Sequence, residues 1–306
     1  MVKVNRVTVL KEMYLRDLLP LGSDLEKEYL RLKAGIDGEM ELVNWLKELL
    51  GINSTILYDL HFKHFNRTQV DLMVLWDEYW WVIEVKNYDG LFEFSQNENK
   101  LRDWRMAVDQ LASMRNRLRI VKDLAGSLDP RIQVDGSFVM IHPDGDIKVD
   151  SDEKFEILTR NQIKRAIKRR IMAHRTHTPW KIKKHLKALA QFIDPYPEEI
   201  PTLTPDLWKS CKKGVRCPEC DHYLVESSQK SLKCPRCGHN SLKKNFVIDL
   251  FKQLLVLFHN QKEKVNASRL VEFSDHLISR NTICLALCNQ TKVINKGPAS
   301  YYKLLG

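Results

Sequence analysis

No run of 18 or more apolar residues occurs in this chain, so a transmembrane helix is not expected. The first stretch, MVKVNRVTVLKEMYLRDLL, lacks a clean apolar core, because Lys11, Glu12, Arg16 and Asp17 interrupt it. A secretory leader is therefore not expected either, and the reading places the protein in the cytoplasm with no membrane partner. Internal repeats are absent, and the one low-complexity stretch is the proline-rich DPYPEEIPTLTP at 194–205. Cysteine is sparse, seven in 306 residues, yet four of the seven fall in two close pairs. Acid is missing altogether from 160–190, which holds eleven Lys or Arg. The net charge of +10 points to a polyanionic partner, although charge alone does not separate nucleic acid from an anionic surface.

What is present divides into four parts. Residues 1–159 mix helical and strand-like patterns, the mark of an α/β core. Residues 25–34 suit a helix capped by Ser23 or Asp24. A second helix starts at Asp37-Gly38 and stops at Gly51, with Leu42, Val43, Leu46, Leu49 and Leu50 on one face. Strand-like runs follow at 54–60, 69–76, 80–86 and 137–141, and a helix is expected over 103–121. Residues 160–205 form a basic helical pair, broken at Pro179, and an extended linker. Residues 206–245 hold the cysteine pairs, and 246–306 begin with the apolar helix FVIDLFKQLLVLF.

The stretch QVDLMVLWDEYWWVIEVKNYDG (69–90) reads as two apolar strands and a turn, with Asp71, Glu84 and Lys86 in their midst. Such groups are costly to bury unless paired or bound to a metal. A two-residue turn at Asp77-Glu78 sets 76 opposite 79, 71 opposite 84 and 69 opposite 86. A four-residue loop moves the register by two and keeps the faces. Either way, two carboxylates and an ammonium share one face. Adjacent carboxylates repel unless one is protonated or a cation sits between them. Oxygen ligands select hard cations, Mg²⁺ or Mn²⁺, and such an ion with a lysine beside it is equipment for phosphodiester hydrolysis. The plainer reading is a salt-bridge network on an exposed sheet face.

GIDGE (35–39), QVDLMV (69–74) and VIEVKNYDG (82–90) together resemble the nuclease-related domain, a branch of the PD-(D/E)xK nucleases. The resemblance covers roughly residues 30–150. It implies a restriction-endonuclease-like sheet flanked by helices, Mg²⁺ (or Mn²⁺) as cofactor, and cleavage of nucleic acid. By position it implies Asp71 and Glu84 as metal ligands, Lys86 as the catalytic lysine, Glu39 as the first-helix carboxylate and Gln69 beside the metal. Glu41 is a rival to Glu39, and Gln110 matches a glutamine on the helix that follows.

The cysteines read C-x2-C-x13-C-x2-C, from Cys217, Cys220, Cys234 and Cys237. Two knuckles at that spacing point to a structural Zn²⁺ with a filled coordination sphere, and the pattern resembles a zinc ribbon. His222 and His239 are alternative ligands, whereas Cys211, Cys284 and Cys288 lie outside the pattern. Residues 266–305 suggest two short helices and a hairpin tipped by NKGP, an order that resembles a winged helix-turn-helix. Arg280 and Asn281 would then begin a recognition helix, while Lys164, Arg165, Lys168 and Arg169 would meet phosphates from the basic segment. The expectation is a Mg²⁺-dependent endonuclease acting on DNA. Its rivals are a non-catalytic nucleic-acid-binding protein on the same fold and a protein-interaction adaptor.

Overall fold

The computed structural model describes residues 4–51, 54–63, 67–95, 99–150, 153–174, 176–194, 199–295, 297 and 300–305. Arg175 of the basic segment, 195–198 of the expected linker, and 296 and 298 of the expected hairpin tip lie outside them. The chain forms two compact units, Leu32–Pro197 and a second made of Met1–Arg31 with Glu198–Gly306. Both helix α1 (Arg6–Leu15) and the start of helix α2 (Asp24–Leu50) therefore group with the C-terminal part.

The two helices expected on either side of residue 35 are one, the 27-residue α2. Asp37-Gly38 is not a helix start. A Cβ at Gly38 would stand 2.7 Å from Asn87 Cβ and 3.0 Å from Ile141 Cγ2. Glycine is there so that the helix can approach the strand ends, and packing offsets its cost of about 1 kcal/mol in helix propensity.

In the Leu32–Pro197 unit, strands β1 (Thr55–Lys63), β2 (Arg67–Leu75) and β3 (Tyr79–Lys86) run antiparallel in sequence. A small sheet of β4 (Gly90–Phe94), β5 (Asn99–Leu101), β6 (Trp104–Arg105) and β8 (Gly145–Val149) follows, in the order β6-β5-β4-β8. Helix α3 (Gln110–Leu128) leads to β7 (Gln133–Met140), which lies parallel to β3, and β9 (Glu156–Thr159) lies parallel to β7. The main sheet thus reads β1-β2-β3-β7-β9. Helix α3 begins later than the expected 103, because 99–105 are spent on β5 and β6 and Asp109 caps the helix through Ala112 N–H.

Strand β3, YWWVIEVK, is buried from Tyr79 to Val85, as a central strand covered on both faces must be. Trp80 and Val82 join the core under α3 with Met114, Leu118 and Val121. Trp81, Ile83 and Val85 join the core under α2 with Leu42, Val43 and Leu46. The basic pair is present as α4 (Arg160–Ala173) and α5 (Pro179–Leu189). It is not a free connector: Ile163, Ala166 and Ile167 of α4 complete the α2-side core, and Ile182 and Leu189 of α5 complete the α3-side core. Consecutive tryptophans mark the division, with Arg170 of α4 stacked 4.1 Å over Trp81 and His185 of α5 edge-on to Trp80 at 5.6 Å.

The other unit holds α6 (Pro205–Ser210), a three-stranded sheet of β10 (Val225–Ser228), β11 (Ser231–Lys233) and β12 (Asn240–Leu242), and helix α7 (Lys243–Leu257). Helices α8 (Ala267–Phe273) and α9 (Arg280–Leu287) and a hairpin of β13 (Thr291–Ile294) and β14 (Tyr301–Leu304) complete it. Polar anchors explain why the first residues belong here and not with the sheet that follows them in sequence. Arg16 is fully buried, donates to the Gly214 carbonyl at 2.8 Å and to Gln253 Oε1 at 2.8 Å, and lies 3.9 Å over the Phe273 ring. Glu12 forms a buried pair with Arg216 at 2.5 Å. Among the described residues, no helix is long and apolar enough to cross a membrane.

Candidate functional site

The β2–β3 ladder pairs Leu75 with Trp80, Val74 with Trp81, Met73 with Val82 and Leu72 with Ile83. That register, set by the two-residue turn, brings Asp71 level with Glu84. There the strands part. β2 stays paired to β1 as far as Arg67, while β3 stays paired to β7 as far as Lys86. The Val85 N–H, left without a strand partner on that side, donates to Asp71 Oδ2 at 2.9 Å. A carboxylate therefore stands in for a main-chain acceptor, which a buried N–H requires.

Glu84 is 1% exposed and faces two cations. Lys86 Nζ lies 2.6 Å from Oε1, and Arg117 Nη1 lies 2.7 Å from Oε2. These are close ion contacts whose angles fall short of hydrogen bonds. Arg117 reaches down from α3 and is steadied by its Nε, which donates to the Gln69 carbonyl at 2.6 Å. Burial lowers the pKa of Lys86, but Glu84 and Asp71 outweigh it and hold the ammonium above its ordinary value. Asp71 is driven the other way: burial and the Glu84 carboxylate raise it to about 6. Glu39 on α2 is raised to about 8 by burial and by the charges of Asp71 and Asp59.

Glu39 and Glu41 are separated by this arrangement. Glu41 is engaged by both terminal nitrogens of Arg160 at the start of α4. Glu39, two residues back and so on another side of the helix, is the one whose charge is felt by the acids. Gln69 contributes its carbonyl to Arg117, while its exposed side chain lies 3.4 Å from Asp59 Oδ1. Gln110 opens α3, and Arg117, two turns further on, is the helix residue that meets Glu84.

Residues 34–142 match the family model described as the nuclease-related domain. The likeness is confined to that stretch. The stretch holds Glu39, Gln69, Asp71, Glu84 and Lys86 together with α3 and its Arg117. No curated protein and no solved structure matches the chain significantly.

Two residues within the matched stretch were not marked by the sequence pattern. Arg117 sits beside the buried stripe of Leu111, Met114, Leu118 and Val121, and a cation flanking such a stripe is the signal that could have marked it. Asp59 falls level with Asp71 on β1, between the pairs Tyr58–Leu72 and Leu60–Val70, and takes a left-handed φ of 51°. Its carboxylate meets His61 Nε2 at 3.0 Å. A non-glycine residue in that conformation inside a strand stores strain, which sequence pattern does not reveal.

The four cysteines converge, with Cys217 and Cys237 sulfurs 3.6 Å apart and Cys220 and Cys234 sulfurs 3.5 Å apart. All four lie within 4.8 Å of one another, close enough to share one ion. The two knuckles repeat one geometry. Asp221 N–H donates to the Cys217 carbonyl at 2.9 Å and Gly238 N–H to the Cys234 carbonyl at 3.0 Å, each with a left-handed turn at Asp221 and Gly238. Among the described residues the other such set is Asp89, His142 and Asp144, on two exposed turns, with Asp89 already held by Arg102. Asp71, Glu84 and Glu39 do not draw together that tightly.

The basic residues are dispersed. Arg169 is paired with Glu156, Lys164 lies 4.9 Å over the Trp45 ring, and Arg165 and Lys168 are exposed. All four lie on α4, which packs on the α2 side of the sheet, whereas Arg117 and Glu84 meet on the α3 side. Arg280 and Asn281 are exposed at the start of α9, with Arg280 donating to Ser268 Oγ at 2.8 Å.

Proposed function

We propose that the protein is a metal-dependent nuclease that cleaves phosphodiester bonds of DNA as an endonuclease. One observation carries the reading: Asp71, Glu84 and Lys86 meet where β2 and β3 part, with Glu39 within electrostatic reach. The donor chemistry fits a hard divalent cation. Asp71 and Glu39 both bind protons more tightly than ordinary carboxyls because burial and neighbouring acids oppose their charge, and a cation would relieve that. Asp71 and Glu84 would hold Mg²⁺ or Mn²⁺, which supplies charge neutralisation at a phosphate and a more acidic water. Lys86 keeps its proton and presents a cation toward a phosphate oxygen or a water. Arg117 fixes the Glu84 carboxylate and so orients it.

The cysteine cluster is read as a structural Zn²⁺ site in a zinc ribbon, and α8, α9 and the β13–β14 hairpin as a winged helix with Arg280 and Asn281 near DNA. Lys164, Arg165 and Lys168 are read as phosphate contacts on α4. A non-catalytic binding role is the second reading, and one observation favours it: Glu84 is already balanced by Lys86 and Arg117. Incubation of the pure protein with plasmid DNA and with RNA, with Mg²⁺ or with EDTA, separates the two. Cleavage that needs Mg²⁺ and disappears in Lys86→Ala, with DNA binding retained, supports the nuclease. Binding without cleavage by the wild type supports the second reading.

A further inference from the structure

Helix α5 carries a feature that hydrolysis leaves unused. Its inward stripe is Ile182, His185 and Leu189, all buried. Its outward stripe is Trp180, Lys183, Lys184 and Lys187, spaced i, i+3, i+4 and i+7. Trp180 is 66% exposed, against 2% or less for Trp76, Trp80 and Trp81. The three lysines are exposed, and none forms an ion pair with another described residue. No acid lies on α5 itself. The acids near its start have other direct partners than the three lysines: Asp77 has Thr178 and Lys181, Glu78 has Lys181 and Arg131, and Asp129 has Arg131, with Lys184 acting on Asp129 only through its charge.

The stripe is held in place. Asp77, at the β2–β3 turn, takes the Thr178 N–H and hydroxyl at 2.6 Å each and so fixes the start of α5. The far end is tied to β1, where Lys63 N–H donates to the Phe192 carbonyl at 2.8 Å. The helix therefore lies along the hairpin, on the side of the sheet where Arg117 meets Glu84. From Trp180 to Lys187 the outward stripe covers about 10 Å.

We propose that this face of α5 binds an unpaired nucleic-acid strand, with a base stacked on Trp180 and the following phosphates on Lys183, Lys184 and Lys187; the proposal rests on the reading of the protein as a nuclease. An open indole face needs a base face that is not covered by a stacked neighbour, and an unpaired strand offers one. The lysines match its backbone charge. A membrane or a protein partner would call for a broad aliphatic patch, whereas three of the four residues of the outward stripe are lysines and the cleft beside Trp180 adds only Leu128 and Ala188 to charged and polar side chains.

The test is fluorescence anisotropy with the full chain, a labelled unpaired DNA of about fifteen nucleotides and its duplex, without added divalent cation. Trp180→Ala is expected to weaken binding of the unpaired strand by about 5- to 150-fold, the range for loss of one stacked base. Trp180→Phe is expected to retain most of the affinity, and the duplex is expected to change by less than about twofold. Lys183→Gln, Lys184→Gln and Lys187→Gln together should flatten the plot of log affinity against log salt by about 0.7 per lost contact. Unchanged affinity in Trp180→Ala, or an equal loss for strand and duplex, overturns the proposal. Because Trp180 is exposed, thermal unfolding of the variant should match the wild type, which keeps misfolding out of the comparison. Cleavage is a separate readout. A Trp180 effect on binding in a protein that never cleaves leaves this surface standing and removes the nuclease reading. Lys86-dependent cleavage without a Trp180 effect does the reverse.

Discussion

Replacing Asp71 with Asn removes a charge that the folded protein holds at a cost. Asp71 is 7% exposed, and its pKa rises from 3.8 to about 6 on folding because of burial and Glu84. At ~1.4 kcal/mol for each tenfold, that difference costs the metal-free fold about 3 kcal/mol once both states are ionised. The sign follows from the protons. Between pH 3.8 and 6 the folded state binds more of them than the unfolded state, so wild-type stability falls as pH rises through that window and then levels. Asn does not titrate, and its carbonyl oxygen can still accept the Val85 N–H. Asp71→Asn should therefore stabilise the metal-free protein by up to about 3 kcal/mol at pH 7.5 and by only about 0.5 kcal/mol near pH 4. Glu39→Gln should also stabilise, with a gain that keeps growing to about pH 8, where Glu39 titrates in the fold. Urea unfolding followed by tryptophan fluorescence measures this, since six of the seven tryptophans lie in the Leu32–Pro197 unit. Mg²⁺ should raise the stability of the wild type and not that of Asp71→Asn. Destabilisation by Asp71→Asn at pH 7.5, or an equal gain at pH 4 and 7.5, would falsify the argument that the acids oppose one another.

Three further outcomes are expected. Metal analysis of the purified protein should give about one zinc per chain, lost when Cys217 and Cys234 are changed to Ser; a zinc-free native protein refutes the ribbon. Gly38→Ala should lower stability by about 1–3 kcal/mol despite alanine's better helix propensity, because its Cβ would meet Asn87 Cβ at 2.7 Å; a stabilised variant would show that α2 can move away. A chain cut at residue 160 should fail to unfold cooperatively, since it loses Ile163, Ile167, Ile182 and Leu189 from the two cores, whereas a cut at 197 keeps them; equal cooperativity of the two by circular dichroism would mean that α4 and α5 are dispensable.

Local rules settled a good deal in advance. The alternation of Asp71, Met73, Val82, Glu84 and Lys86 was enough to put two carboxylates and an ammonium on one face, while the choice of the two-residue turn at Asp77-Glu78, which brings Asp71 level with Glu84, belongs to the folded hairpin. Two C-x2-C pairs were enough to mark the sulfurs that converge, because each knuckle closes within five residues. The acid-free, Lys/Arg-rich composition of 160–190 and the break at Pro179 marked the basic helical pair that the fold shows as α4 and α5. Tertiary structure decided what depends on distant partners. Gly38 looks like a helix start until Asn87 and Ile141 are seen against it. Glu41 rivals Glu39 in sequence, where only the step after Gly38 favours Glu39, until Arg160 takes Glu41. Arg117 is one of several arginines in α3 until the sheet beneath presents Glu84 to it. The eleven cations of 160–190 look like one track until Trp80 and Trp81, on opposite faces of β3, set α5 and α4 on opposite sides of the sheet. Period and spacing are properties of a few consecutive residues, so sequence carries them; which ions pair, and which helix face meets water, follow from long-range packing in which each surface takes its chemistry from another part of the chain.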